Sequence, residues 1–340
     1  MTPEAPPIVA LTSFTNVTET NLDHITPIIS EHWSRIIGYV NGFVLTIVVG
    51  VLGIVTNTAN ISVYLKMGLS ETTNISFFSL SISDLLVSLS AVLVQLTYNP
   101  PVSVMKLPSG APVSEIGMAA CFIMFPCMGC SAWITAVLSI ERCLCISMPL
   151  KVKEIFTRKV TLSLILAIVI YQMTFIFLLY FDPGPPYDVI ARAKSIYFMS
   201  SFSVLSFVCF FFVLVSTTLL VVRLKQNLEW RNEAAKQSNK NSRSLKETKA
   251  ARCVAAICTV FIMCFTPNVA LVLTSLVYPK FYQHDPYLGA LMRALYAISS
   301  LLQVLSSAVN IVVYYRMGTK YREVFSSLFC RKKETRLDLD

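Results

Sequence analysis

Residues 116–142 read "IGMAACFIMFPCMGCSAWITAVLSIER". From Ile116 to Ile140 there is no formal charge, and then an acid and a base, Glu141 and Arg142, stand side by side. A bilayer core of about 30 Å is crossed by roughly 20 apolar residues in a helix, whereas a barrel strand needs only about 9–11. In lipid the backbone finds no water, so a lone crossing segment has to pair its own N–H and C=O groups as a helix. The stretch therefore reads as a membrane helix that ends at a charge pair.

Six more stretches have the same character: Ile36–Leu65, Thr72–Met105 (interrupted only by Asp84), Val160–Phe181, Ser195–Val222, Cys253–Pro279 and Ala294–Tyr315. The chain is 55% hydrophobic and only 14% charged, against about a quarter charged residues in a soluble domain. The fold class expected is an all-α membrane protein, a seven-transmembrane helix bundle. Basic residues collect on the cytoplasmic side. With the N-terminus outside, 22 of the 28 Lys and Arg residues lie inside. This predicts a multi-pass plasma-membrane protein with an extracellular N-terminus. Its net charge of +9 is then a topology signal and a face for membrane lipid or an acidic partner, not a sign of nucleic-acid binding.

Residues 1–35 form the expected extracellular tail, with a glycosylation sequon at Asn16 and no basic segment leading an apolar run. Residues 36–317 form the bundle. After it, Tyr321, Val324, Phe325 and Leu328 recur at helical spacing among Lys320, Arg322 and Glu323. Residues 318–330 therefore read as a short amphipathic eighth helix lying on the inner leaflet, followed by a cytoplasmic tail at 331–340. Cys330, at the end of that helix and before a basic run, is placed for a palmitoyl chain, with an unmodified thiol as the equal alternative.

Asp84 is the one formal charge deep in a span, and a carboxylate there needs solvation or partners. Asn57, Ser131, Ser306, Ser307 and Asn310 lie at matching depth. They could hold with it a water-linked network or a structural sodium ion, the network being the simpler reading. At the inner surface Arg142 needs acceptors, and Glu141 and Glu247 are available at that depth. The three histidines, His24, His32 and His284, are peripheral and not in metal-ligand spacing. With no nucleophile and base paired either, an enzyme is not expected, and no cofactor beyond the sodium ion. A transporter or channel using Asp84 is the alternative, but the halves of the chain show no internal repeat.

Over roughly residues 36–330 the chain resembles a rhodopsin-like G-protein-coupled receptor. "SLSISDLL" around Asp84 is similar to that family's second-helix motif, and "ERC" stands where the family has Asp-Arg-Tyr or Glu-Arg-Tyr. "FIMCFTP", with Phe261, Cys264, Phe265 and Pro267, resembles the sixth-helix motif of an aromatic before a kinking proline. "NIVVY", from Asn310 to Tyr314, resembles the seventh-helix Asn-Pro-x-x-Tyr. Some phrases look most like invertebrate, molluscan-type chemosensory and peptide-like receptors.

The resemblance implies an activation set of Glu141, Arg142, Glu247, Phe261, Cys264, Phe265, Pro267, Asn310 and Tyr314. It implies a heterotrimeric G protein as partner on the cytoplasmic face and a peptide or small molecule as extracellular ligand. The ligand would contact Gln95, Tyr98, Met124, Phe125, Met128, Asn268, Val272, Tyr296 and Ser300. Met124 stands where amine receptors resemble one another in carrying aspartate, so a monoamine ligand is not expected. Phe265 and Ile311 depart from the family's tryptophan and proline. Gly117 takes the usual place of a disulfide cysteine, with Cys121 four residues on, so that bridge is expected to be absent.

Overall fold

The computed structural model describes residues 27–98, 100–103, 105–110, 112–148, 151–180, 205–234, 242–278 and 285–329, with the backbone alone described at 100, 101, 153, 175–180, 205–206, 227–234, 242–247 and 276. Among the described residues eight long helices carry the fold. They are α1 (Glu31–Met67), α2 (Thr72–Thr97), α3 (Ser114–Ser147), α4 (Arg158–Tyr180), α5 (Leu205–Ala234), α6 (Ser242–Val277), α7 (Gly289–Met317) and α8 (Thr319–Phe329). Six of them (α1, α2, α3, α5, α6 and α7) contain segments long and apolar enough to cross a membrane. α4 supplies a seventh apolar helix of 23 residues.

The helix α1 turns an apolar face outward and small or polar residues inward, the reverse of a soluble helix. Along α1, Val48, Val51, Leu52 and Val55 recur at helical spacing and are exposed, whereas Gly50, Gly53, Asn57 and Asn60 are buried. An apolar outer face suits hydrocarbon, and small residues inside let helices approach closely. A Cβ on Gly53 would lie 2.2 Å from Ser88 Oγ, and one on Gly50 2.6 Å from a methyl of Val92. The absence of a side chain thus sets the distance between α1 and α2.

α3 runs through the middle of the bundle, packed against α2, α4, α5 and α6, and α7 closes the ring onto α1. Gly129 of α3 lies against the buried Gln172 of α4, whose Nε2 would meet an added Cβ at 2.0 Å. The main apolar core gathers inward-facing residues of α1 to α8, among them Tyr64, Phe77, Ile134, Leu138, Leu220, Val254 and Phe261.

The charge-free runs underestimate helix length. α1 starts at Glu31, inside the segment 1–35 expected to be a tail, because the Ser30 hydroxyl accepts from Trp33 N and Glu31 favours the positive end of the helix. α3 continues through Glu141 and Arg142 to Ser147. Charge marks the edge of the hydrocarbon, not the end of hydrogen bonding. From Gly38 to Leu45 α1 winds as a π-helix. There the Asn41 amide donates to Ile37 O (3.0 Å) and the Thr46 hydroxyl to Asn41 O (2.7 Å), occupying carbonyls of the widened turns. Gly68, with φ of 85°, ends α1 in a backbone conformation that side chains disfavour.

At the C-terminal end of α2 the expected loss of the disulfide has a steric counterpart. A Cβ on Gly117 would lie 2.2 Å from Thr97 Oγ1 and 2.8 Å from the Tyr98 ring. The place of a cysteine is filled by the end of α2, and Cys121 is a free thiol. Close packing joins the C-terminal end of α2 to the N-terminal end of α3. Asn16 and Cys330 lie outside the described residues.

Candidate functional site

Asp84 sits in the middle of α2 with 2% of its surface exposed. The Ser131 hydroxyl of α3 donates to Asp84 Oδ1 (2.6 Å), and the Asn310 amide of α7 donates to Oδ2 (2.8 Å). Each carboxylate oxygen therefore has a donor from a different helix, as a buried acid requires. Beside it lies a cavity of about 20 Å3, lined by Asp84, Ser131, Thr135, Gln303, Ser306, Ser307 and Asn310, with Leu80, Met128, Ile257, Phe261 and Phe265 as its apolar wall. That volume holds about one water-sized occupant.

Asn57 belongs to this group at one remove. Its amide donates to Gly53 O (3.0 Å) and across to Ser307 O of α7 (2.9 Å), so it holds the α7 backbone and not the Asp84 carboxylate. The Thr56 hydroxyl makes a parallel bond to Ala308 O (3.1 Å). Proximity to Asp84 in depth was legible; which neighbour the amide faces depends on how α1 is rotated.

Phe261 and Phe265, one helical turn apart on α6, stack with centroids 4.1 Å apart on the wall of the cavity. Pro267 follows inside the same helix. Proline provides no N–H and opposes a straight ladder. Cys264 is buried on this helix as a free thiol. The expected aromatic residues thus pack on each other at the wall of the Asp84 cavity.

At the C-terminal end of α3, Glu141 and Arg142 are 1% and 7% exposed. Arg142 Nη2 meets Glu141 Oε1 at 2.5 Å and donates to Thr73 Oγ1 at 2.6 Å, while the Thr72 hydroxyl donates to the same carboxylate oxygen at 2.6 Å. Sequence reasoning missed Thr72 and Thr73. Their signal was their position, opening the second apolar run at the depth of Glu141. Glu141 Oε2 and Arg142 Nε are buried with no hydrogen-bond partner among the described residues. Glu247 lies in α6, but its side chain is outside the described residues.

Tyr314 is 1% exposed and turned toward α1, α2 and α8. Its ring centroid lies 4.9 Å from Phe77, 5.4 Å from Tyr64 and 5.6 Å from Tyr321.

The residues expected to meet a ligand are spread over α2 and its C-terminal end, α3, α6 and α7. Tyr98 is exposed at the end of α2, and Gln95 is half-buried beside Gly42 of α1. Tyr296 packs with Leu271 and Met292 between α6 and α7. Met124 packs on Val87, Cys127 and Met128, and Met128 itself lines the Asp84 cavity. Its place is with the Asp84 site, because α3 carries it one turn beyond Met124. Phe125, Asn268, Val272 and Ser300 are half-buried on α3, α6 and α7.

Residues 57–314, from the middle of α1 to Tyr314, match the family described as "7 transmembrane receptor (rhodopsin family)". The chain is also similar to the rat (Rattus norvegicus) neuromedin-U receptor 1, 26% identical over 317 residues, covering 83% of this chain and 71% of the relative. With that family match spanning most of the bundle, the chain belongs to the rhodopsin family of seven-transmembrane receptors, multi-pass membrane proteins.

Proposed function

We propose that this chain sits in the plasma membrane with its N-terminus outside, binds an extracellular ligand and activates a heterotrimeric G protein on the cytoplasmic face. The single observation that carries this reading is the buried Glu141–Arg142 pair. A guanidinium and a carboxylate are kept from water at the inner end of the central helix and tied to Thr72 and Thr73 of α2. Such an arrangement has a competing state in which Arg142 faces the cytoplasm.

In this mechanism the ligand favours an outward swing of the inner half of α6 about Pro267. The Phe261–Phe265 pair shifts against the Asp84 cavity, Tyr314 leaves its aromatic ring of neighbours, and Glu247 separates from Arg142. The opened groove accepts a helix of the G protein, with Arg142 on its floor. A ligand can move this equilibrium only by its differential affinity for the two states, typically about 1–3 kcal/mol of coupling.

The Asp84 cavity fits a sodium ion or a water, with oxygen donors from Asp84, Ser131, Ser306 and Ser307. A bound cation would stabilise the closed arrangement by holding α2, α3 and α7 together. For the ligand, the sequence points to an extracellular peptide or a small chemosensory molecule. The rat relative is named for neuromedin-U, which makes that compound the first probe to apply.

Nucleotide exchange on G proteins, in membranes holding the full chain, tests the reading. Glu247→Gln is expected to raise basal exchange several-fold, since a neutral amide holds Arg142 less strongly than a carboxylate. Unchanged basal exchange in that variant, with the parent active, would show that Glu247 does not hold Arg142. Asp84→Asn keeps the shape of the side chain but removes the charge that organises the cavity. It is expected to lower ligand-stimulated exchange and to abolish any dependence of ligand affinity on sodium concentration. A sodium dependence that survives the change argues against the cavity as its source.

A further inference from the structure

A second polar line leads away from the cavity to the inner-face helix α8. The Tyr321 hydroxyl donates to Asn60 Oδ1 at 2.6 Å, across 261 residues of sequence. The Asn60 amide donates to Asn57 Oδ1 (3.2 Å), and the Asn57 amide donates to Ser307 O of α7 (2.9 Å). Every donor points the same way, from α8 through α1 into α7, an arrangement in which successive bonds polarise one another. Both asparagines are 0% exposed and Tyr321 3%. Three residues beyond Ser307, Asn310 donates to Asp84. The line thus runs between the helix at the inner surface and the central carboxylate.

The surroundings hold Tyr321 to this one geometry. Its ring is 5.5 Å from Tyr64 and 5.6 Å from Tyr314. The turn before it is tight: a Cβ on Gly318 would lie 2.8 Å from Tyr314 O and 2.9 Å from Tyr321 Cβ. A second tether, Lys66 Nζ to Ser327 Oγ at 3.2 Å, joins the exposed side of α8 to α1. A phenylalanine would fill the same aromatic space without the hydroxyl. The hydroxyl therefore has a task besides packing.

We propose that Tyr321 is a positioning residue for activation: its hydroxyl, acting through Asn60 and Asn57, fixes the Ser307 carbonyl of α7 and ties α8 to the Asp84 cavity. This rests on the receptor reading above. The relay belongs to the closed arrangement, since it coexists with Tyr314 packed against Tyr64, Phe77 and Tyr321 and with Arg142 buried beside Glu141. When Tyr314 moves toward Arg142, the ring around Tyr321 opens and the relay loses its enclosure. Breaking the relay favours the open arrangement by population shift.

The test is a double-variant cycle on the full chain in lipid nanodiscs, with Tyr321→Phe, Asn60→Leu and the two combined. Basal nucleotide exchange is read on a G protein that the parent activates, at matched receptor amounts, and the thermal midpoint is read in parallel. Loss of one buried hydrogen bond is expected to raise basal exchange about fivefold in either single variant. The double variant should rise no further than the singles, because one relay is broken only once. A multiplicative double variant, or a lowered midpoint with unchanged exchange in Tyr321→Phe, overturns the proposal and leaves a structural contact. Tyr321→Phe keeps the ring and is decisive alone if Asn60→Leu does not fold. A folded parent that activates no G protein overturns the receptor reading itself, an outcome distinct from an active parent with silent variants.

Discussion

Arg142→Leu is expected to abolish ligand-stimulated nucleotide exchange and to destabilise the folded chain by about 3–5 kcal/mol, the penalty for leaving one partner of a buried ion pair uncompensated. Glu141 is 1% exposed, and once the guanidinium is gone the Thr72 hydroxyl is its one hydrogen-bond donor among the described residues. Thr73 Oγ1 loses its donor at the same time. The two effects separate in a second variant. Glu141→Gln combined with Arg142→Leu removes both charges while keeping an acceptor for Thr72, so most of the stability returns. Exchange stays lost, because the groove floor still lacks Arg142. Thermal denaturation of the purified chain and G-protein exchange measure the two quantities. Recovery of exchange in the double variant would show that Arg142 serves only to neutralise Glu141.

The second large effect is steric and lies far from any charge. Gly53→Ala is expected to destabilise the bundle by about 1–3 kcal/mol, the usual range for overpacking. The new methyl would stand 2.2 Å from Ser88 Oγ and 3.0 Å from Ser88 Cβ, with Ala308 Cβ at 3.6 Å on its other side. Ser88 Oγ is itself buried without a partner among the described residues, so it contributes little to offset the strain. Exchanging the two side chains, Gly53→Ala with Ser88→Gly, moves the volume across the interface and should restore most of the thermal midpoint. If the pair is as unstable as the single variant, the close approach of α1 and α2 is not what Gly53 provides. Signalling is expected to suffer in parallel, because Asn57, one turn away, reaches Ser307 only when α1 lies close to α7.

Hydrogen bonding and packing explain why some of this was legible in the chain and some was not. The helices follow from the solvent: an uncharged run of 20 residues or more has one way to satisfy its backbone in lipid. Their number, the polar neighbourhood of Asp84, the buried Arg142 and the amphipathic α8 all follow from counting charges and depths. Depth along a helix is a property of sequence. Rotation about the helix axis is not, and it decided the rest. It turned Asn57 to the α7 backbone and placed Met128 on the wall of the Asp84 cavity. It also brought Thr72 and Thr73 under the Glu141–Arg142 pair.

Glycines carried the other part that only packing reveals. Nothing in the local sequence distinguishes Gly50, Gly53 and Gly129 from spacers, yet each faces a side chain of a neighbouring helix where a Cβ would collide. The Tyr321 hydroxyl is the same case over a long range: the spacing of α8 announces an amphipathic helix. Its partner Asn60, 261 residues away, is selected by the closure of α7 onto α1. The sequence by itself determined that the chain crosses a membrane seven times and which polar groups share a depth, because both depend on solvation along one axis. Which of those groups touch was left to the tertiary structure, because contact depends on how close helices lie and how each is turned.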